Sequence, residues 1–359
     1  VVGKWHLGLS GGGDDIKWNG EIKPGPNEIG FDESFIIPAT GDRVPTVYVR
    51  NHRVDGLDPK NTIHVSYKGP IGKEPTGKTH PKKADVLEGL PGRGHLDAIT
   101  EGVSRIGHMT GGKGALWKDA DMSDTLAAEA IKFIENHKDG PFFLYLATHG
   151  IHEPRVPNAR FRGKSGCGTY GDHTMELDDA VGQVLAALDR MKLAGNTLLV
   201  FSSDNGGCSW VGYDYGNRAG FNGHKVNGAL RGEKGSLWEG GTRVPFIVRW
   251  PGHVPEGKTS PALVSQTDLL ASFARLIGVA LPGDVAADRM DVLDALLGKS
   301  DTGRHELVEH QYGQAAKSAL RVDNWKFFNG QLFDLASDLS ETKNLAGEQP
   351  DRAKTMAAR

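Results

Sequence analysis

Asn196 to Gly207, NTLLVFSSDNGG, is the stretch from which the fold can be read. Leu198, Leu199, Val200 and Phe201 form a short apolar run between Gly195 and the Gly206-Gly207 pair. Such a run reads as a buried strand of a parallel sheet, with polar side chains emerging where the strand stops. Asp204 and Asn205 stand at that stop. In open α/β sheets, ligands bind beyond the carboxyl ends of the strands. Asp and Asn offer hard oxygen donors of the kind calcium and magnesium take. Asp-Asn-Gly-Gly is also good turn chemistry, and the stretch alone leaves both readings open.

Upstream, Leu177, Val181, Val184, Leu185, Leu188 and Met191 recur at steps of three and four, which predicts a helix over 171–192. Asp172, Glu176, Asp178 and Asp179 crowd its first half and are expected to form a solvated face favoured by the helix dipole. Before it, Pro141 opens a second apolar run, Phe142 to Ala147, expected as a buried strand with His149 and His152 at its carboxyl end. Strand, helix and strand in that order make a βαβ unit, so the two strands are expected to be parallel. Leu126, Ala127, Ala130, Ile131 and Ile134 predict a further helix over 123–137. Downstream, a glycine-rich loop carrying Lys234 leads into another expected buried strand, Val244 to Trp250, and 267–278 is an amphipathic helix.

At the start, VVGKWHLG reads as a strand end running into a turn that carries Lys4 and His6. From Leu9 to Gly114 the chain is rich in Gly, Pro and charge; 46–54 and 62–67 alternate as short strands, read as a hairpin. So long a weakly periodic region is expected to be a functional insertion over the sheet. After Pro282 come short strands at 306–310, 319–322, 325–328 and 331–335, with tight turns at Asp323-Asn324 and Asn329-Gly330. The expected fold class is α/β: a mostly parallel central sheet flanked by helices over 1–281, with 9–114 inserted. A small α+β subdomain with an antiparallel sheet follows over 282–359.

The composition narrows the function. Lys and Arg number 42 against 45 Asp and Glu, a formal net charge of -3, so no basic excess points to nucleic acid. No run of eighteen apolar residues exists to span a membrane. Cys167 and Cys208 are too few for a disulfide framework or a zinc cluster. The chain begins at Val1 without an initiator Met and is read as lacking its natural start. Oligomeric state is not legible.

Four stretches taken together resemble the formylglycine-dependent sulfatases of the alkaline-phosphatase-like superfamily: VGKWHLG at 2–8, THGIHEP at 148–154, SSDNGG at 202–207 and LRGEKGSLWEGGTRVP at 230–245. The tail, LFDLASDLSETKNLA, also resembles that family's small C-terminal subdomain. The resemblance implies roles. Lys4 and Lys234 match sulfate-binding lysines, and His6 matches the histidine near the formylglycine. His152 matches the histidine that helps the alcohol leave. Asp204 and Asn205 match two ligands of a divalent metal, usually calcium. His224, in NGHKVNG, is assigned to substrate contact. The residue types suit the chemistry: lysines and a cation neutralise sulfate oxygens, and histidine protonates a departing alkoxide.

The chain also departs from the family. The nucleophile lies in a C/S-x-P/A-x-R pattern, but Cys167 is followed by GTY and Cys208 by SWV. The paired acids that complete the metal site are missing too. Both belong upstream of GKWHLG, so formylglycine is expected in a missing N-terminal segment, and the chain alone is expected to hydrolyse sulfate esters poorly. Two alternatives remain: a phosphatase or phosphonate hydrolase of the same superfamily, and a non-catalytic protein that binds sulfated glycans. Arg43, Arg50, His52, Arg53, His64, Arg93, His95 and Arg105 make the 9–114 region basic in places, which suits a sulfated carbohydrate over a flat steroid. An exported location, periplasmic, extracellular or lysosomal, is implied by the family resemblance only.

Overall fold

The computed structural model describes residues 1–11, 15–83, 94–210, 213, 221, 223–311 and 314–359; Arg93 lies outside them. The chain divides into two compact units. One comprises Val1–Lys192 with Trp210–His224, the other Leu193–Ser209 with Lys225–Arg359. Compactness thus places the 196–207 stretch with the C-terminal residues, whereas the sequence reading divided the chain at 281.

In the first unit the strands are β1 (Val2–Lys4), β2 (Phe35–Ile37), β3 (Val49–Arg50), β4 (Arg53–Val54), β5 (His64–Ser66), β6 (Ile99–Thr100), β7 (Val103–Ser104) and β8 (His108–Thr110). Helix α1 (Met122–His137), strand β9 (Leu146–Ala147) and helix α2 (Gly168–Arg190) follow. The central sheet runs β4-β3-β2-β1-β9. It is mixed: β1 is parallel to both β2 and β9, while β3 and β4 are antiparallel. Neighbouring residues divide between two cores, as period-two strands require. Val2, Phe35 and Ile37 pack with Met122 and Leu126 of α1. Val1, Ile36 and Val49 pack with Val44, Val47, Ile63 and Met109. Helix α1 buries Met122, Leu126, Ala127, Ala130 and Ile134, and packs against β1 and α2.

Several expectations change here. Residues 9–114 are built into the sheet through β2, β3 and β4, so they are more than a cover over it. The 46–54 segment closes on itself as the β3–β4 hairpin, turning at Asn51 with a φ of 53°, and β5 pairs with β8. The 142–147 run forms a strand only at Leu146–Ala147, at the end of the sheet order, with Phe143 64% and Tyr145 48% exposed. The acidic start of α2 is not a uniformly solvated face: Asp172 and Glu176 are buried, while Asp178 is exposed and Asp179 partly so. Asp172 accepts hydrogen bonds from Gly163 N (2.7 Å), Ser165 N (2.9 Å) and Ser165 Oγ (2.7 Å), pinning the loop that enters the helix.

The second unit holds β10 (Leu199–Ser202), α3 (Glu239–Thr242), β11 (Phe246–Arg249), α4 (Asp268–Leu276) and α5 (Leu293–Leu296). A four-stranded sheet follows, β12 (Glu306–Gln311), β13 (Gln314–Val322), β14 (Trp325–Phe328) and β15 (Gln331–Asp334), and then helix α6 (Pro350–Ala357). That sheet is antiparallel in sequential order, as the two tight turns predicted. Strand β10 pairs antiparallel with β11 in a two-stranded sheet of its own, and β9 belongs to the five-stranded sheet of the first unit. Strands β10 and β11 are only partly buried, with Ile247 56% exposed. Sequence periodicity states that a strand exists; its partner is fixed by distant residues that periodicity does not see.

Candidate functional site

Three parallel strands deliver the first group of side chains. β1, β2 and β9 end on one edge of the sheet, and each continues into polar residues there. β1 ends at Lys4. Beyond it, Trp5 N and His6 N still bond to Ile37 O (3.0 Å) and Pro38 O (3.3 Å). Trp5 is thereby held in the core while His6, at a φ of 52°, turns outward and is exposed. Close approach of β1 to β9 depends on Gly3. Its φ is 110°, and a Cβ there would lie 1.9 Å from Ala147 O.

β2 runs into Pro38, Ala39 and Thr40, and β9 runs into Thr148 and the 149–154 turn. The Nδ1 of His152 lies 2.8 Å from Glu153 O and 3.2 Å from Thr40 Oγ1. The Nδ1–H is shared between these oxygens, so a second proton on this ring sits on Nε2. Beside it, His149 is buried, its ring 6.1 Å from that of His152 and 6.0 Å from that of His173. Burial, then the nearby His173, His152 and Lys4, hold the His149 imidazole well below 6.5, so it is neutral at pH 7. Gly41 makes room for that ring, since a Cβ on it would lie 2.4 Å from His149 Cε1. Behind, His173 Nδ1 pairs with the buried Glu176 carboxylate at 3.0 Å. Arg155 spans the turn, with Nε donating to Ile151 O at 3.2 Å and the guanidinium 4.6 Å over the Tyr170 ring.

The second group lies in the other unit. Asp204 is exposed just past β10, with Asn205 beside it. Asn205 Nδ2 donates to Gly206 O at 3.0 Å, which leaves Oδ1 as the acceptor end of the amide. Lys234 is brought to the same place by its backbone, whose N–H bonds to Gly207 O at 3.1 Å. Asn227 ties the two stretches together: its Oδ1 accepts from Gly207 N (2.7 Å), and its Nδ2 donates to Gly207 O and Gly232 O (both 3.1 Å). The contact is nearly backbone on backbone, because a Cβ on Gly206 would sit 1.8 Å from Gly240 O. An exposed carboxylate and a free amide oxygen on adjacent residues fit a hard divalent cation.

Among the residues singled out from sequence, the structure brings Lys4, His6 and His152 to one sheet edge, and Asp204, Asn205 and Lys234 to one loop cluster. His224 is exposed, with its ring 6.2 Å from that of Tyr170 in the first unit. Thr40 and Asp42 were missed. Their only signal is the apolar triplet Phe35–Ile37 followed by PATGD, too short to read as a strand. Some basic residues of 9–114 prove structural. Arg50 is paired with Glu129 (2.8 Å) and Asp55 (3.0 Å), and Arg105, fully buried, is paired with Asp119 (2.5 Å).

The profile of the sulfatase family matches residues 2–279. An N-acetylgalactosamine-6-O-sulfatase of Bacteroides thetaiotaomicron is 43% identical over 99% of this chain and 72% of its own length. A mouse steryl-sulfatase is 32% identical over 91% of this chain, which spans 54% of that protein. A solved structure from work on glycosaminoglycan metabolism by Bacteroides thetaiotaomicron, labelled 6S-sulf, superposes with a TM-score of 0.93 at 43% identity. It covers 99% of this chain and 77% of that one.

Proposed function

This chain belongs to the sulfatase family, and from that premise we propose that it serves the hydrolysis of a carbohydrate sulfate ester, specifically a 6-O-sulfate on an N-acetylgalactosamine-type sugar. The observation that carries the reading is the convergence of Lys4, His6 and His152 at the carboxyl ends of adjoining parallel strands. The identity to an N-acetylgalactosamine-6-O-sulfatase across nearly the whole chain supports the choice of sugar.

Lys4 and Lys234 neutralise the sulfate oxygens, where charge grows as the ester bond breaks. His152, held through Nδ1 by Glu153 O and Thr40, gives its Nε2 proton to the departing sugar oxygen, which leaves as the hydroxyl. His6 takes up a proton near the nucleophile, and His224 contacts the sugar. His149, kept neutral by burial, packs against His152 without adding a second positive charge. Asp204 and Asn205 are the residues here that would hold calcium. A formylglycine and that cation, when bound, supply the nucleophile and further charge neutralisation.

Kinetics on the purified, formylglycine-bearing protein test this reading. Turnover is expected with a 6-O-sulfated N-acetylgalactosamine and little with an aryl phosphate or a steroid sulfate. Lys234→Ala and His152→Ala are each expected to lower kcat/KM by roughly 10²–10⁴. Preference for the phosphate, or unchanged kinetics in both variants, would remove the proposal.

A further inference from the structure

Behind the 149–154 turn lies a group of side chains that the hydrolysis above does not use. Asp42, His95 and Glu153 each point one ligand atom into a common space, all within 4.8 Å of one another. His95 Nε2 is 3.0 Å from Asp42 Oδ2 and 3.7 Å from Glu153 Oε1. Asp42 and His95 are buried, at 5% and 6% exposure. Two carboxylates and one imidazole in such a place make a costly cluster unless a positive charge joins them.

Among the described residues, the two arginines near Asp42 do not complete it. Arg43 Nε stands 3.9 Å from Asp42 Oδ1, beyond hydrogen-bond reach. Arg105 donates to Gly41 O and is committed to Asp119. One oxygen of the pair is left over: Asp42 Oδ1 is buried and has no hydrogen-bond partner. Buried polar atoms are nearly always satisfied, so an orphaned oxygen on a carboxylate of this cluster marks a place for a ligand.

The surroundings hold the imidazole still. The His95 ring lies on that of Tyr213, with centroids 4.4 Å apart. Tyr213 Oη donates to Ser104 O at 2.7 Å, and Ser104 Oγ donates to His95 O at 2.6 Å. Supporting contacts of this kind fix the orientation of metal-ligating histidines.

We propose that Asp42, His95 and Glu153 form a binding site for a first-row divalent cation of the zinc and manganese class, separate from the calcium ligands at Asp204 and Asn205. The donor set decides the class. An imidazole nitrogen with two carboxylates suits zinc or manganese, whereas calcium takes oxygen donors throughout. The spacing agrees, because ligands about 2.1 Å from a tetrahedral ion stand roughly 3.4 Å apart, and the two His95 separations, 3.0 and 3.7 Å, fall on either side. An ion there bonds both the β2 extension and the residue next to His152, tying two sides of the candidate site together. It also gives the Asp42 carboxylate, whose Oδ1 has no hydrogen-bond partner, a cation within bonding distance.

The test is direct metal binding, which does not depend on sulfate hydrolysis and so stands or falls apart from the function proposed above. The chain is prepared with Asp204→Ala and Asn205→Ala, stripped with chelator, and dialysed against zinc or its spectroscopic stand-in, cobalt. One equivalent retained, a cobalt visible band of a nitrogen- and oxygen-ligated ion, and a raised Tm are expected. His95→Gln and Glu153→Gln are each expected to weaken binding beyond the roughly 10–100-fold that loss of an outer-shell partner costs. Glu153 is at the rim of the cluster, so Glu153→Gln remains informative if His95→Gln does not fold; circular dichroism reports which variants fold. No retained metal, or retention unchanged in folded Glu153→Gln, overturns the proposal and leaves the cluster as a hydrogen-bonded histidine–carboxylate pair.

Discussion

At the scale of single residues, the candidate site depends as much on missing atoms as on reactive ones. Gly3 sits where β1 passes close to β9, and it combines a φ of 110° with no space for a Cβ. Gly3→Ala is therefore expected to cost at least about 3 kcal/mol, from backbone strain together with forced separation of β1 and β9. Urea unfolding followed by circular dichroism measures it, and a loss below about 1 kcal/mol would show that the strands accommodate the methyl group. Individual residues also mark the limits of sequence reading. Lys4, His6 and His152 stood in recognisable motifs, whereas Thr40 and Asp42 did not, because the strand that carries them is three residues long. Arg50 and Arg105 looked like a basic surface until their partners Glu129 and Asp119, distant in sequence, were placed beside them.

At the scale of elements, the small C-terminal sheet has a specific connection to the loop that bears Lys234. Trp238, four residues after Lys234, packs its ring against Phe328 (4.7 Å) and Phe333 (5.6 Å), and Arg231 lies 3.6 Å over it. Next to it Glu239, at the start of α3, is buried and accepts from Lys326 of β14 at 2.9 Å and from Arg243 at 2.6 Å. Lys326 is fully buried and also faces Glu309 (3.0 Å) and Glu341 (3.6 Å). Burial opposes the Lys326 charge, but the three carboxylates outweigh it and raise its pKa. Lys326→Met removes the charge the three share, leaving Arg243 beside Glu239, and is expected to destabilise the protein by about 3–5 kcal/mol. Chemical denaturation checks this. A near-neutral result would show that the cluster does not depend on this charge; Glu341, whose pKa burial raises, is the member of it that most readily takes up a proton. The hairpins of this sheet were legible because Asp-Asn and Asn-Gly turns are local signals. The pairings of β9 and β10 were not, because they depend on which strands arrive from elsewhere.

At the scale of the whole molecule, the buried histidine links stability to pH. His149 is held neutral well below 6.5 in the folded chain, while an unfolded histidine titrates near that value. The unfolded state therefore binds the extra proton. Stability from this group is full above about 6.5 and falls as pH drops below it, by up to about 1.4 kcal/mol per unit. His149→Asn is expected to flatten the slope between pH 7.5 and 5.5, and parallel unfolding curves would refute the linkage. Asp42, depressed despite its burial by the His95 hydrogen bond and by the charges of His152 and Arg43, acts in a separate window. Its contribution is lost only as pH falls below the ordinary aspartate value of 3.8. The loop carrying Lys234 has another consequence. It is anchored through Gly207 O, Gly241 O and glycines that admit no side chain, and among the described residues the contacts that fix its path are made by backbone and not by the ammonium group. Position 234 is a socket: an engineer, or drift over generations, can exchange the headgroup mounted there while the mount stays in place. The neighbouring glycines, by contrast, are the part that cannot vary.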